Sequence, residues 1–298
     1  MKASPQPLVS IVIPTYNHAH LIGRALDSVL KQTYANWEAI VVDNHSQDGT
    51  KAVLDAYRDE RIKVLKIHNQ GIIAASRNLG IRSAKGEWIA FLDSDDWWES
   101  DKLAASIEAA GDEFDMIYHD LRIIRRMEQK SSRHLSRSRA LAVRAYDDLV
   151  LNGCAMPNSS VVLRKQLLDR TGALSEAVEN VGWEDYDMWL RVAANGCRFV
   201  RLDHAYGFYW IGSGSVSNPR RTLANIDAFI QAYILTDSAY TAIPWWCHYS
   251  RAKSYEELGD VAMADACFKE AWEASRKFSQ IVRTAIRWSL FKCRHKRT

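Results

Sequence analysis

Short β-branched apolar runs alternate with stretches of helical spacing through the first third of the chain. Residues 9–14 predict a strand, and Leu21, Ile22, Ala25, Leu26, Val29 and Leu30 then recur at the spacing of one helix face before residues 39–43 predict a second strand. The alternation continues as a helix over residues 50–57, a strand over 62–67, a helix over 72–84 and a strand over 88–92. Repeated βαβ units predict an α/β fold, a mostly parallel sheet with helices on both faces. Ligands of such sheets bind beyond the carboxyl ends of the strands, and Asp43 and Asp93 each stand at one.

The pattern then changes. Residues 121–144 are basic and irregular, with Arg125, Arg126, Lys130, Arg133, Arg137 and Arg139 opposed by Glu128 alone. They read as a mobile excursion, either a solvated loop or a guide for an anionic acceptor. Regular structure returns at residues 159–163 and in a helix over 184–194. Beyond Pro219 the reading is all-helical: 222–236, 245–258, 260–275 and 278–292. Two domains are therefore expected, a catalytic one over residues 1–220 and a helical extension over 221–298. Tyr255, Leu258, Gly259, Ala264, Phe268 and Ala271 resemble a single tetratricopeptide-type hairpin, which must dock on the rest of the chain or on a partner to bury its apolar face. In the last helix Phe278, Ile281, Val282, Ala285 and Ser289 form one stripe and Arg276, Arg283, Arg287 and Arg294 another. A basic amphipathic helix fits an anionic membrane surface; a helix packed on its own domain, or on a protein partner, fits equally.

Composition narrows the picture. With 39 Lys and Arg against 36 Asp and Glu, the net charge of +3 gives no global electrostatic case for nucleic acid. The five cysteines form no Cys-x-x-Cys pair and read as buried thiols of a reducing compartment. The apolar run at residues 8–13 is stopped by Pro14, too short for a signal-peptide core, and no stretch supplies the roughly 20 apolar residues of a spanning helix. The expectation is a cytoplasmic protein, with any membrane contact peripheral and on the inner face.

The chemistry concentrates where the strand Trp88-Ile89-Ala90-Phe91-Leu92 runs into Asp93-Ser94-Asp95-Asp96. With an extended backbone Asp93 and Asp95 project to one side, and paired hard oxygen ligands suit Mg2+ or Mn2+ sharing coordination with substrate phosphates. Asp96 with Glu99 has capping-box spacing ahead of an amphipathic run, so Asp96 reads as a helix start. His18 and His20 read as surface residues.

Five blocks in order, Thr15-Tyr16-Asn17 after the first strand, Val41-Val42-Asp43-Asn44 leading to Asp48-Gly49-Thr50, Ala75-Ser76-Arg77-Asn78-Leu79-Gly80, Phe91 to Asp96, and Trp183-Glu184-Asp185-Tyr186-Asp187-Met188-Trp189-Leu190-Arg191, resemble the family 2 inverting glycosyltransferases. The resemblance spans residues 8 to about 217. It implies a GT-A type, Rossmann-like fold, a nucleotide-sugar donor (a UDP-sugar above others), a glycan or lipid-linked acceptor, and Mg2+ or Mn2+. Donor binding would fall to Pro14, Thr15, Tyr16, Asn17, Asp43, Arg77, Asn78, Asp93 and Ser94, with Asp43 on the base. Asp95 and Asp93 would hold the metal. Asp185 would be the catalytic base, kept ionised by the helix dipole, with Glu184 beside it and Trp183 meeting the acceptor. Many relatives carry Tyr-Arg-x-His near Tyr209-Trp210-Ile211-Gly212, and both polar residues are missing here; Ser213-Gly214-Ser215-Val216-Ser217 is expected to close over the donor instead. Two rival readings are a sugar-phosphate nucleotidyltransferase, which would want a Gly-rich phosphate loop, and a non-catalytic interaction module.

Overall fold

The structure is a computed structural model that describes residues 6–177, 182–212 and 218–295. The chain divides into two compact units. One takes in Met1–Leu141, Ala155–Glu176 and Glu184–Gly214; the other takes in Ala142–Cys154, Ala177–Trp183 and Ser215–Thr298.

The first unit is built on a seven-stranded sheet. In chain order it contains β1 (Val9–Thr15), α1 (Ile22–Leu30), β2 (Trp37–Asp43), α2 (Thr50–Ala56), β3 (Ile62–Lys66), α3 (Ile73–Ser83), β4 (Trp88–Phe91), β5 (Trp97–Trp98), α4 (Lys102–Ala110), β6 (Met116–His119) and β7 (Arg122–Ile124). After α5 (Ala145–Asn152), which belongs to the second unit, it resumes with β8 (Val162–Arg164), α6 (Lys165–Thr171), α7 (Glu184–Ala194), β9 (Phe199–Leu202) and β10 (Gly207–Trp210). The strand order is β3-β2-β1-β4-β8-β6-β9. All neighbours are parallel except β8, which runs antiparallel to both β4 and β6. The expected α/β class with a mostly parallel sheet is what forms.

Side-chain alternation along β1 sorts its residues between two helical layers. Val9, Ile11 and Ile13 pack with Ile22, Ala25, Leu26 and Val29 of α1, in a core that also takes Trp37, Trp88, Leu92 and Leu103. Val12 points the other way, onto α3, where Gly80 lets the helix approach: a Cβ there would come within 2.5 Å of Val12 Cγ1. Phe91, paired with Val12 across β1 and β4, meets Trp189 of α7 edge-on at 6.1 Å. One face of the sheet therefore carries α3 and α7 together, and both bear proposed site residues.

Three sequence expectations are corrected here. The backbone is not extended past Leu92: Asp93–Asp96 is a turn closed by the Asp96 amide on the Asp93 carbonyl (3.0 Å), and this turn, rather than strand alternation, brings the carboxylates together. Asp96 caps no helix, because Trp97 and Trp98 pair with Phe208 and Gly207 in a small sheet ordered β5-β10-β7 and α4 starts only at Lys102. The basic stretch is partly ordered, since β7 joins that small sheet, Arg122 bridges to Leu135, and Leu121 and Ile124 are buried.

The second unit is helical: α5, α8 (Pro219–Phe229), a π-helical turn (Ile230–Ile234), α9 (Trp245–Leu258), α10 (Val261–Glu273) and α11 (Phe278–His295). The α9–α10 hairpin turns at Gly259, left-handed at φ 77°, and Asp260 caps α10 by accepting from the Met263 amide. Ala252, Ala264, Cys267 and Phe268 of the hairpin close a small core against Phe291 of α11. Among the described residues no cysteine is in a disulfide; Cys197, Cys247 and Cys267 are buried as expected, whereas Cys154 and Cys293 are exposed.

Candidate active site

β1 lies where the strand order reverses, with β2 on one side and β4 on the other, so the crevice at the ends of these strands is the natural ligand position. Thr15 ends β1 directly beside Asp43, which ends β2. Strand spacing of about 4.8 Å puts the ends of β2 and β4 about 10 Å apart. The Thr15 hydroxyl is buried without a hydrogen-bond partner among the described residues, and Tyr16 is half exposed beside it. Pro14 sits in β1 opposite Val42. Asn17, at φ 52°, ties the two loops together: its amide donates to Ser46 Oγ (2.9 Å) and its Oδ1 accepts from the Gln47 amide (2.8 Å). Asp43 is buried, and its Oδ1 accepts from the Ser46 amide (3.0 Å) and hydroxyl (2.6 Å), so this carboxylate also shapes the turn that follows it.

Arg77 links the two halves of the site. Its guanidinium, on α3, donates from Nη2 to Asp93 Oδ1 (2.6 Å) and from Nη1 to Glu184 Oε1 (2.5 Å) at the start of α7. Burial opposes the cation, yet Asp93 and Glu184 outweigh it and raise its pKa above the usual arginine value. Asn78, next along α3, uses its amide on the Leu174 backbone (2.8 and 3.0 Å) and Glu176 (2.8 Å), so it pins a loop.

The acids respond to their crowding. Burial and Asp93 push Asp95 up to about 6, against its own backbone, Arg24 and Arg77. Asp96 is raised well above the carboxylate range by burial, then Asp95 and Asp93, while its Oδ1 accepts from the Trp210 amide (2.9 Å). Asp185 is pushed up to about 7, first by burial and then by Glu184, against Arg77 and the Tyr186 amide. Desolvation thus works against the helix dipole that was expected to favour the ionised form of Asp185. The second Asp-x-Asp is unlike the first, because Asp187 is engaged with Arg191 one turn along the helix.

Sequence reasoning missed three groups. Tyr209 on β10 has its phenol pKa raised by burial and then by Asp96, Asp93, Asp95 and Asp185, so one hydroxyl feels all four carboxylates. His18 is not a plain surface residue: it is partly buried, with Nδ1 2.7 Å from the hydroxyl of buried Ser94. Burial and then His20 lower its pKa, against Asp48 and Asp93. Arg24 reaches the Asp95 carbonyl (3.4 Å) while lying 3.6 Å over the Trp97 ring. Its position on the polar side of α1 was the available signal. Trp183 falls in the second unit, 5.7 Å from the Trp246 ring, and Ser213-Gly214-Ser215-Val216-Ser217 lies outside the described residues.

The residues present fit a divalent cation. Asp93 and Asp95 are hard oxygen donors on one turn, and burial and then Asp93 raise the pKa of Asp95. Among the described residues there is no cluster of three or more His, Cys, Asp or Glu that would enclose a metal by itself.

The sheet is mostly parallel, with Asp43 and Asp93 at the ends of the strands that flank its switch point. The family model for glycosyl transferase family 2 matches residues 10–171, and the chain belongs to that family. It is 34% identical over 200 residues to the UDP-Glc:alpha-D-GlcNAc-diphosphoundecaprenol beta-1,3-glucosyltransferase WfgD of Escherichia coli, covering 65% of this chain and 75% of the relative. It is 31% identical over 234 residues to the succinoglycan biosynthesis protein ExoO of Rhizobium meliloti, covering 76% and 67%. Among solved structures, residues 1–349 of S. aureus TarS in complex with UDP-GlcNAc superpose with a TM-score of 0.60 at 18% identity, covering 90% of this chain and 81% of that one. The mannosyltransferase PcManGT of Pyrobaculum calidifontis, in complex with GDP-Man and Mn2+, superposes with a TM-score of 0.58 at 20% identity, covering 96% and 81%. The fold is GT-A and the chain is a glycosyltransferase. Family membership removes the nucleotidyltransferase and non-catalytic readings.

Proposed function

We propose that this enzyme moves a sugar, with inversion, from a nucleoside-diphosphate donor to a hydroxyl of a glycan or lipid-linked acceptor, with Asp185 as general base. The observation that carries this is the buried Arg77, bonded at once to Asp93 on the donor side and to Glu184 beside Asp185. In the transfer, Asp185 accepts the proton of the acceptor hydroxyl, the freed oxygen attacks the anomeric carbon, and the bond from that carbon to the diphosphate breaks with its electron pair leaving on the phosphate. A base pushed up to about 7 suits this role, being largely unprotonated just above neutral pH and still a competent acceptor. Glu184, spent on Arg77, acts as a positioning residue.

Thr15, Tyr16 and Asp43 line the nucleoside pocket, and Pro14 and Asn17 hold its floor and loop. Arg77 and Ser94 face the diphosphate. Asp93 and Asp95 would hold Mg2+ or Mn2+, which when bound offsets the negative charge developing on the leaving diphosphate. Trp183 is assigned to acceptor contact. A UDP-sugar is the favoured donor, supported by WfgD and by the UDP-GlcNAc complex of TarS; PcManGT takes GDP-Man, so the base is decided locally around Asp43. WfgD acts on a diphosphoundecaprenol-linked sugar, which supports a lipid-linked acceptor here and action at the cytoplasmic face of the membrane. No described helix is long and apolar enough to cross a membrane. Residues 1–220 are read as the catalytic domain and 221–298 as an extension serving attachment.

Thermal-shift screening with UDP-, GDP-, CMP- and dTDP-sugars, with and without Mn2+, tests the reading. Stabilisation by one donor, larger with the metal, is expected; no stabilisation by any of them would refute it.

A further inference from the structure

We infer that α11 is an interfacial helix that lies along an anionic phospholipid surface. The inference deepens the membrane-face location proposed above, but no part of it depends on the transfer chemistry.

The helix is firmly docked on one side only. Thr284 and Phe291 are buried, Trp245 Nε1 donates to Thr284 Oγ1 (2.9 Å), and Phe291 packs on Phe268 at 5.4 Å. Trp288 Nε1 donates to Asp265 Oδ1 (2.6 Å) and Arg287 pairs with Glu256 (2.9 Å). What this docking leaves outward is apolar: Phe278 is 81% exposed, Val282 37%, Ile286 58% and Leu290 49%. These four recur every fourth residue. At about 100° per residue they sweep an arc of about 120° on the exposed side of the helix. The arc borders an open groove shared with Tyr249. The sequence had indicated a different stripe, through Ile281 and Ala285; both are only partly exposed, because the helix is rotated to place Thr284 and Phe291 inward.

Charge selects the occupant. Eight of the 39 Lys and Arg lie in the last 25 residues, and none of the 36 Asp and Glu does. Arg283 follows the apolar arc on one flank and Lys292, which also lies 3.9 Å from Asp265 and 3.9 Å over the Trp288 ring, precedes it on the other, about 140° and about −40° from Phe278. An apolar stripe edged by cations on both sides matches the boundary between acyl chains and anionic headgroups. A second copy of the chain, docking through the same face about a two-fold axis, would bring these cations against one another. The helix rises about 27 Å, so the whole stripe can lie in the surface plane.

The test uses the full chain and sedimentation with vesicles, without donor or acceptor, so the result stands apart from any transfer assay. Binding to phosphatidylcholine vesicles carrying about 30 mol% phosphatidylglycerol should be at least about tenfold tighter than to phosphatidylcholine alone, and should weaken as salt rises from about 0.05 M to about 0.5 M. Arg283→Glu, a reversal of two charge units at about fivefold each, should cost about 25-fold. Ile286→Glu with Leu290→Glu should cost more than about tenfold. Met263→Glu, on the exposed side of α10, is the control and should change nothing. Circular dichroism verifies that each variant retains its helices. Equal binding to both vesicle types, binding to neither, or stripe variants that bind like the parent overturn the inference. So does a dimer, seen by light scattering, that the stripe variants dissolve.

Discussion

Arg77 offers the sharpest test of how the site is held together. Its guanidinium and the Glu184 carboxylate are each only 5% exposed, and they meet at 2.5 Å while a second bond runs to Asp93. Arg77→Met would remove a bonded counter-ion from buried Glu184, beside a carboxyl already pushed up to about 7, so the cost should approach the 3–5 kcal/mol typical of breaking a buried pair. Glu184→Gln should cost less, about 1–2 kcal/mol, because Arg77 retains Asp93. The double variant should then fall short of the sum by about 2 kcal/mol or more, since with Glu184 neutralised the loss of Arg77 costs only its bond to the more exposed Asp93. Urea unfolding, with hydrogen exchange read on peptides from α3 and α7, measures this locally. Removing Arg77 also removes an influence that lowers the Asp185 pKa, so the midpoint of the pH–rate profile must move alkaline. Additivity within about 0.5 kcal/mol, or a midpoint that stays or moves acid, would refute the shared-counter-ion reasoning.

Other outcomes follow from the same geometry. Transfer should rise with pH through a midpoint near 7 as Asp185 loses its proton, and Asp185→Asn should abolish transfer, by at least about a hundredfold, while donor affinity by calorimetry stays within about twofold. Asp95→Asn should erase the metal-dependent part of the donor-induced thermal shift, leaving the protein as indifferent to Mn2+ as the parent is after chelation. Lys102 is fully buried, its Nζ has no hydrogen-bond partner among the described residues and lies 3.9 Å over the Trp98 ring, and burial pushes its pKa well below the lysine value. In the window between that lowered pKa and the ordinary one near 10.4 the unfolded chain binds the extra proton, so this lysine lowers stability at neutral pH and lowers it less as pH rises. Lys102→Met should therefore stabilise by roughly 1–3 kcal/mol near neutrality, with the gain fading toward pH 10; a variant less stable than the parent at pH 7 would show the site wrongly read.

What could be read in advance was whatever repeats along the chain. The βαβ alternation exposed the sheet because β1 is a short, mostly apolar run while α1 repeats its apolar residues at helical spacing, and the helices of the C-terminal extension were visible by the same helical spacing. The small sheet was hidden: a two-residue strand such as Trp97–Trp98 has no period, and its partner β10 lies over a hundred residues away. That blind spot misassigned Asp96, whose spacing to Glu99 satisfied a local rule that a distant strand overrode. Asp185 could be named from its block, but the upward push on its pKa could not be read, since a helix dipole can be inferred from a first turn whereas burial cannot. His18 and Tyr209 went unrecognised because single residues gain meaning only from neighbours brought by folding.

Phe291 has a practical bearing on handling the protein. A greasy, cationic tail invites trimming before purification, yet this ring sits at the centre of the small core formed by Ala252, Ala264, Cys267 and Phe268. Cutting the tail away would uncork that core and trade one sticky surface for another. Polar replacements on the outward stripe alone would keep the plug in place.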